Sequence, residues 1–165
     1  MPDCLFCSLS ESKHDPAFFW QSQYFFCYLD AFPVNPGHYL IIPKKHVVEL
    51  NDLSFDEWQD LKQTIKISRE QILNYDLENA YRHLIEKKIS PQSINYCQDV
   101  LTYLSKYEFQ PDAFNIGIND GEAAGRTVHH LHTHVIPRFK GDVIDPTGGV
   151  RGVIGVKQQY GKSEK

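Results

Sequence analysis

Apolar and polar positions along the chain change period several times, and each change marks an element. Residues 24–30 (YFFCYLD) form a short aromatic run of strand character. After turn chemistry at 33–37, the run 39–43 (YLIIP) reads as its hairpin partner. Ser54 followed by Glu57 is a capping-box pattern. Phe55, Trp58, Leu61, Ile65, Ile72 and Leu73 then recur at about helical spacing and predict a long helix. Ser90-Pro91 opens a second helix over 91–106, since proline is tolerated in a first turn. Residues 113–119 (AFNIGIN) return to strand alternation. The run 130–136 (HLHTHVI) places histidines at alternate positions, with Leu131, Thr133 and Val135 between them. Residues two apart on a strand share a face, roughly 6–7 Å from each other, so the three histidines are expected as one row. Packing alone explains such a row poorly, because each imidazole needs a hydrogen-bond partner or a ligand. Helices inserted between antiparallel strands predict an α+β domain: an antiparallel sheet with flanking helices.

Composition narrows the partners. The 165 residues suit a single domain, and 41% hydrophobic and 13% aromatic content are globular values. A formal charge of −4 argues against a nucleic-acid polymer as partner, leaving local basic spots (Lys44 and Lys45; Arg138 and Lys140) for the phosphates of a small ligand. No apolar run is long enough to span a membrane and the first residues do not form a secretory leader, so the expected location is cytoplasmic. Cys27 and Cys97 stand in apolar surroundings and read as buried hydrophobes, whereas Cys4 and Cys7 form a C-x-x-C pair. By spacing alone that pair is either a redox couple or half of a zinc site.

The motifs together resemble the histidine triad family of nucleotide hydrolases and transferases. The resemblance rests on 130–136, on Asn119-Asp120-Gly121 and 124–128 before it, and on Pro137-Arg138 after it. It extends to 36–46 (PGHYLIIPKKH) and to Cys4-Leu5-Phe6-Cys7, covering about residues 4–60 and 108–140. Residues 141–152 further resemble a bacterial branch of diadenosine polyphosphate hydrolase-like proteins. Arg126 stands where the family commonly has glutamine, Thr133 replaces an apolar residue, and roughly 80–106 is longer than the usual connection, an extra helical insertion. The third histidine is intact, which favours hydrolysis over transfer between sugars.

The resemblance implies a hydrolase acting at the α-phosphate of a purine nucleotide derivative, with His132 as nucleophile. His134, Thr127, Asn119 and His38 would stabilise the transition state. Asp30 would accept the ribose hydroxyls, and Leu5, Phe6, Leu9 and Tyr28 would form the base pocket. Asn119, Thr127 and His134 would also touch the nucleotide. The same resemblance implies a structural zinc on Cys4, Cys7, His46 and His130, and a homodimer. The implied substrate is a dinucleoside polyphosphate, with a nucleoside phosphoramidate second. Other readings are a nucleotide-binding regulator of little turnover and a zinc hydrolase using the triad itself. His129 is expected to be structural or solvent-facing. Residues 121–127 are not a phosphate-binding P-loop, because the glycine spacing fails, the lysine is missing and a strand comes next. Residues 141–165 read as a loop and tail, the loop pinned by its valines and isoleucines, with 161–165 frayed.

Overall fold

The computed structural model describes residues 4–155; the expected fraying of 161–165 lies outside them. Five strands form one antiparallel sheet in the order β1-β2-β3-β5-β4, with β1 Phe18–Gln21, β2 Phe25–Leu29, β3 Tyr39–Pro43, β4 Ala113–Gly117 and β5 Thr133–Arg138. Among the described residues four α-helices accompany it: α1 Leu5–Ser10, α2 Phe55–Gln71, α3 Leu77–Glu86 and α4 Pro91–Leu104. The expected α+β class and the β2–β3 hairpin are both present. β2 and β3 are buried throughout because helices and loops cover both of their faces.

The sheet's register defines those faces. Tyr28 pairs with Leu40, Leu40 with His134, and His134 with Gly117, so these four share one face. Cys27, Ile41 and Thr133 form the adjacent row on the other face. There α2 packs, and the Tyr39 hydroxyl meets Ser68 Oγ at 2.8 Å. Ser54 caps α2 as expected: its side chain accepts from the Glu57 amide, and Glu57 accepts from the Ser54 amide at 2.7 Å. The expected apolar face holds at Leu61, Ile65 and Ile72 and is corrected at Phe55, Trp58 and Leu73, which are exposed. The helix buries Leu61, Thr64 and Ser68. The Tyr39–Ser68 contact turns this small polar stripe toward the sheet, leaving the large residues near the N-terminus outside.

Three further boundaries change. β1 has no counterpart among the sequence expectations, and its register with β2 slips between Phe18 and Trp20. β4 ends at Gly117, two residues earlier than read. The histidine run is not a strand throughout, because β5 begins only at Thr133. Before it the backbone bends: the His130 amide donates to Val128 O at 2.9 Å and the Leu131 amide to Val47 O at 2.7 Å. The expected row of three is therefore corrected: His130 and His132 are buried as well as Leu131, Thr133 and Val135, and of the three histidines only His132 and His134 stand ring against ring.

The extra segment folds as the pair α3 and α4. α4 is capped by Ser90 with Pro91 in its first turn, as the sequence predicts, and ends at Leu104. Its Ser93 and Cys97 reach Ala31 O, and Tyr81 of α3 accepts the Gly37 amide at 3.1 Å. The pair therefore braces the 30–37 turn beside the histidines. Residues 141–155 depart from expectation, for Ile144, Val150 and Val153 are exposed instead of pinning the loop. It is held by polar contacts, Arg138 and Asn35 both binding Asp142. Cys27 and Cys97 are fully buried, as expected.

Candidate active site

Each triad histidine is held through a different partner, and those partners fix where its proton sits. His132 Nδ1 lies 2.8 Å from the carbonyl oxygen of His130. A carbonyl only accepts, so Nδ1 carries the hydrogen and Nε2 presents a lone pair. His132 is buried, wedged between the rings of Phe6 (centroids 5.2 Å) and His134 (5.1 Å). His38 Nδ1 accepts the Val34 amide at 3.4 Å, which leaves the hydrogen on Nε2. That Nε2–H donates to His134 Nδ1 at 3.0 Å, so His134 in turn presents Nε2–H as a donor.

Burial holds His134 neutral, lowering its pKa to about 4, with His38 and His132 adding to the effect and Asp30 opposing it. His38 is lowered too, again chiefly by burial and against the pull of Asp30. Asp30 Oδ2 lies 3.5 Å from His38 Nε2 and 3.9 Å from His134 Nδ1, while Oδ1 accepts the Phe32 amide at 2.8 Å. One imidazole lone pair, one imidazole N–H and one carboxylate thus stand side by side on the sheet face.

His130 turns the other way, fully buried. Its Nε2 donates to Pro43 O at 2.8 Å, freeing Nδ1 to face Cys4 Sγ at 3.3 Å and Cys7 Sγ at 3.6 Å. His46 Nδ1 lies 3.4 Å from Cys7 Sγ. The four donor atoms all fall within 4.8 Å of one another. Tetrahedral zinc with two sulfur and two nitrogen ligands needs ligand separations of about 3.3–3.8 Å, close to those observed. A ligand histidine whose second nitrogen is tied to a carbonyl is the usual supporting arrangement. The donor set fits a structural zinc.

Comparison with known proteins agrees with this geometry. The HIT domain family model matches residues 11–141. The chain belongs to the HIT family. Among HIT relatives, the bis(5'-adenosyl)-triphosphatase of Saccharomyces cerevisiae is 32% identical over 131 residues, 76% of this chain but only 48% of that longer protein. A HIT-like protein of Mycoplasma pneumoniae is 29% identical over 138 residues, covering 84% of this chain and 73% of that one. Among solved structures, a zinc-bound histidine triad protein from Mycobacterium smegmatis superposes with a TM-score of 0.55 at 26% identity, over 87% of this chain and 81% of that chain. A HIT protein from Bacillus anthracis shares the fold at 21% identity and TM-score 0.55, covering 99% and 82%.

Within this HIT fold, His132, His134, His38 and Asp30 come together as expected, and so do Cys4, Cys7, His46 and His130. Asn119 lines a cleft beside His134, and its Nδ2 reaches Gly125 O at 3.5 Å. Thr127 is exposed on the lead-in to the histidines. Of the residues assigned to the base, Phe6 and Tyr28 are buried, Leu9 is half-buried and Leu5 is 58% exposed. His129 is exposed, one of the two outcomes expected of it.

Two arrangements were not foreseen. Tyr28 donates to Asp15 Oδ2 at 2.6 Å and accepts from Lys87 at 2.7 Å, and Lys87 also pairs with Asp15. The residues lie too far apart in sequence for spacing to signal the network. Arg126 does not project toward the histidines: its Nη1 donates to Val48 O at 2.7 Å, and its side chain is only 8% exposed. Replacing glutamine by arginine here ties the loop before the triad to the loop that carries His46.

Proposed function

We propose that this HIT protein hydrolyses a dinucleoside polyphosphate at its α-phosphate through a covalent intermediate on His132. One observation carries the reading: His132 Nδ1 is tied to the His130 carbonyl, so Nδ1 keeps its hydrogen and Nε2 is left as the nucleophilic nitrogen. In the first step Nε2 bonds to the α-phosphorus, and the bond to the bridging oxygen breaks. The leaving nucleoside polyphosphate takes that electron pair. Water then attacks the nucleotidyl-histidine, the P–N bond breaks, and its electrons return to Nε2. The proton of the attacking water passes to solvent.

Negative charge grows on the non-bridging oxygens, and the His134 Nε2–H, oriented by His38, is a fixed donor whose ring lies against that of the nucleophile. Asn119 and Thr127 supply further donors, and Asp30 accepts from the ribose. Leu5, Phe6, Leu9 and Tyr28 hold the base. Cys4, Cys7, His46 and His130 would hold a zinc ion that takes no part in the reaction, their ligation tying α1 to the sheet and keeping His130 out of proton transfer. The active form is a homodimer in the cytoplasm, β4 being an edge strand at which a second copy can continue the sheet.

The test is AMP release from diadenosine tetraphosphate and from adenosine phosphoramidate by wild type and His132→Ala. Release by wild type alone, faster from the dinucleotide, is expected. Equal release by the variant contradicts the reading, and a preference for the phosphoramidate moves the chain to the other hydrolase class.

A further inference from the structure

A cleft of about 630 Å³ opens beside His134 and continues over β5 and β4, away from Tyr28 and Leu40. The register fixes its floor: Gly117 lies opposite His134, Asn115 opposite Ile136 and Ala113 opposite Arg138. From His134 to Arg138 the floor runs about 13 Å along the strand. Gly117 leaves it open next to the histidine, since a Cβ built there would meet nothing within 4 Å. The outer wall is the 141–155 loop, whose Val150 and Val153 line the cleft while 71% and 82% exposed.

The chemistry of the lining selects among occupants. Its ionisable side chains are His38, His134, Arg138 and Asp142. Arg138 spends its guanidinium on the Asp142 carboxylate (2.7 and 2.8 Å) and on Asn115 Oδ1 (2.6 Å). The pair is neutral overall, and both histidines are held uncharged. A bare polyphosphate chain, which needs unspent cations, finds none among the described lining residues. The valines, Ile136 and the Asn115 amide suit a flat, mostly apolar group with hydrogen-bonding edges. On the opposite side of His134 lie Tyr28 and Asp30, the nucleoside end of the proposed site.

We infer that the cleft receives the second nucleoside, the leaving half of a dinucleoside polyphosphate whose α-phosphate sits at His132 and His134. The inference rests on the proposed hydrolase reading and deepens it. The cleft makes the protein discriminate by the group at the far end of the phosphate chain: a dinucleoside polyphosphate binds better than a mononucleotide carrying phosphates alone.

The test measures binding calorimetrically in full-length His132→Ala, which holds substrate without turnover. Diadenosine tetraphosphate should bind at least tenfold tighter than ATP. Adding Val150→Asn and Val153→Asn should erase that difference while leaving ATP affinity within twofold. Both valines are exposed, so the fold should be unaffected, with an unchanged melting temperature as the check. Equal affinities, or a preference that survives the valine replacements, overturns the inference. Wild-type turnover separates the two proposals. Tight, valine-dependent binding without AMP release sinks hydrolysis and keeps the cleft, whereas AMP release without the binding preference sinks the cleft and keeps hydrolysis.

Discussion

At the scale of single residues, the site is a set of imidazoles whose protons are placed by backbone groups. The Val34 amide fixes His38, His38 fixes His134, and the His130 carbonyl fixes His132. Removing His38 should therefore act through His134. His38→Ala is predicted to lower kcat roughly tenfold to a hundredfold with little change in KM, measured by steady-state AMP release. Stability should carry the mark of the neutral His134. Its folded pKa of about 4 lies below the ordinary value near 6.5, so between those limits the unfolded chain binds a proton that the folded one refuses. The contribution is fully present above about 6.5 and is lost as the pH falls toward 4. Denaturant midpoints at pH 7 and 4.5 should thus differ less in His134→Asn than in wild type. An identical drop in both would show that other groups set the acid limb. At this scale the sequence was informative about identity: the alternate histidines, Pro36-Gly37-His38 and the C-x-x-C pair all name residues that converge. It was silent about tautomers, because the Val34 amide meets His38 only once the 34–38 turn has closed, and the Pro43 carbonyl meets His130 from 87 residues away.

Among the elements, the clearest sequence signals were local ones. The Ser54–Glu57 capping box and the Ser90-Pro91 start hold as read because a cap involves four consecutive residues. Ser54→Ala should cost about 1 kcal/mol by urea denaturation. β1 escaped notice because FFWQ lacks alternation and carries a register slip. α3 did carry a signal, with Asp76 as cap and Leu77, Ala80, Tyr81 and Leu84 on one face. The exposed face of α2 misled, since Phe55 and Trp58 look like core by periodicity and only the Tyr39–Ser68 contact settles the rotation. α1 is short, with no side-chain cap at Cys4. If zinc secures it, chelation at neutral pH should lower the melting temperature by several degrees. Cys4→Ser should reproduce that loss and should abolish stoichiometric zinc in elemental analysis. Unchanged melting and no bound zinc would remove the metal from the account.

For the molecule as a whole, the sheet order brings residues 96 apart in sequence to one surface: His38 immediately precedes β3, and His134 lies in β5 beside it. The fold class was legible because a run of helices stands between the hairpin strands and the histidine strand. The bracing of the 30–37 turn by α3 and α4 was not, since it depends on Tyr81 and Ser93 meeting backbone far away in sequence. Light scattering should give twice the chain mass if β4 continues into a second copy, and a single chain mass would refute the dimer. The most direct measurement of the central claim is rapid quenching of wild type with diadenosine tetraphosphate, then mass analysis of the peptide containing His132. One adenylyl group on that histidine within a single turnover, absent in His132→Ala, is the predicted result. Full turnover with no adduct on His132, retained in the variant, would contradict covalent catalysis at this residue.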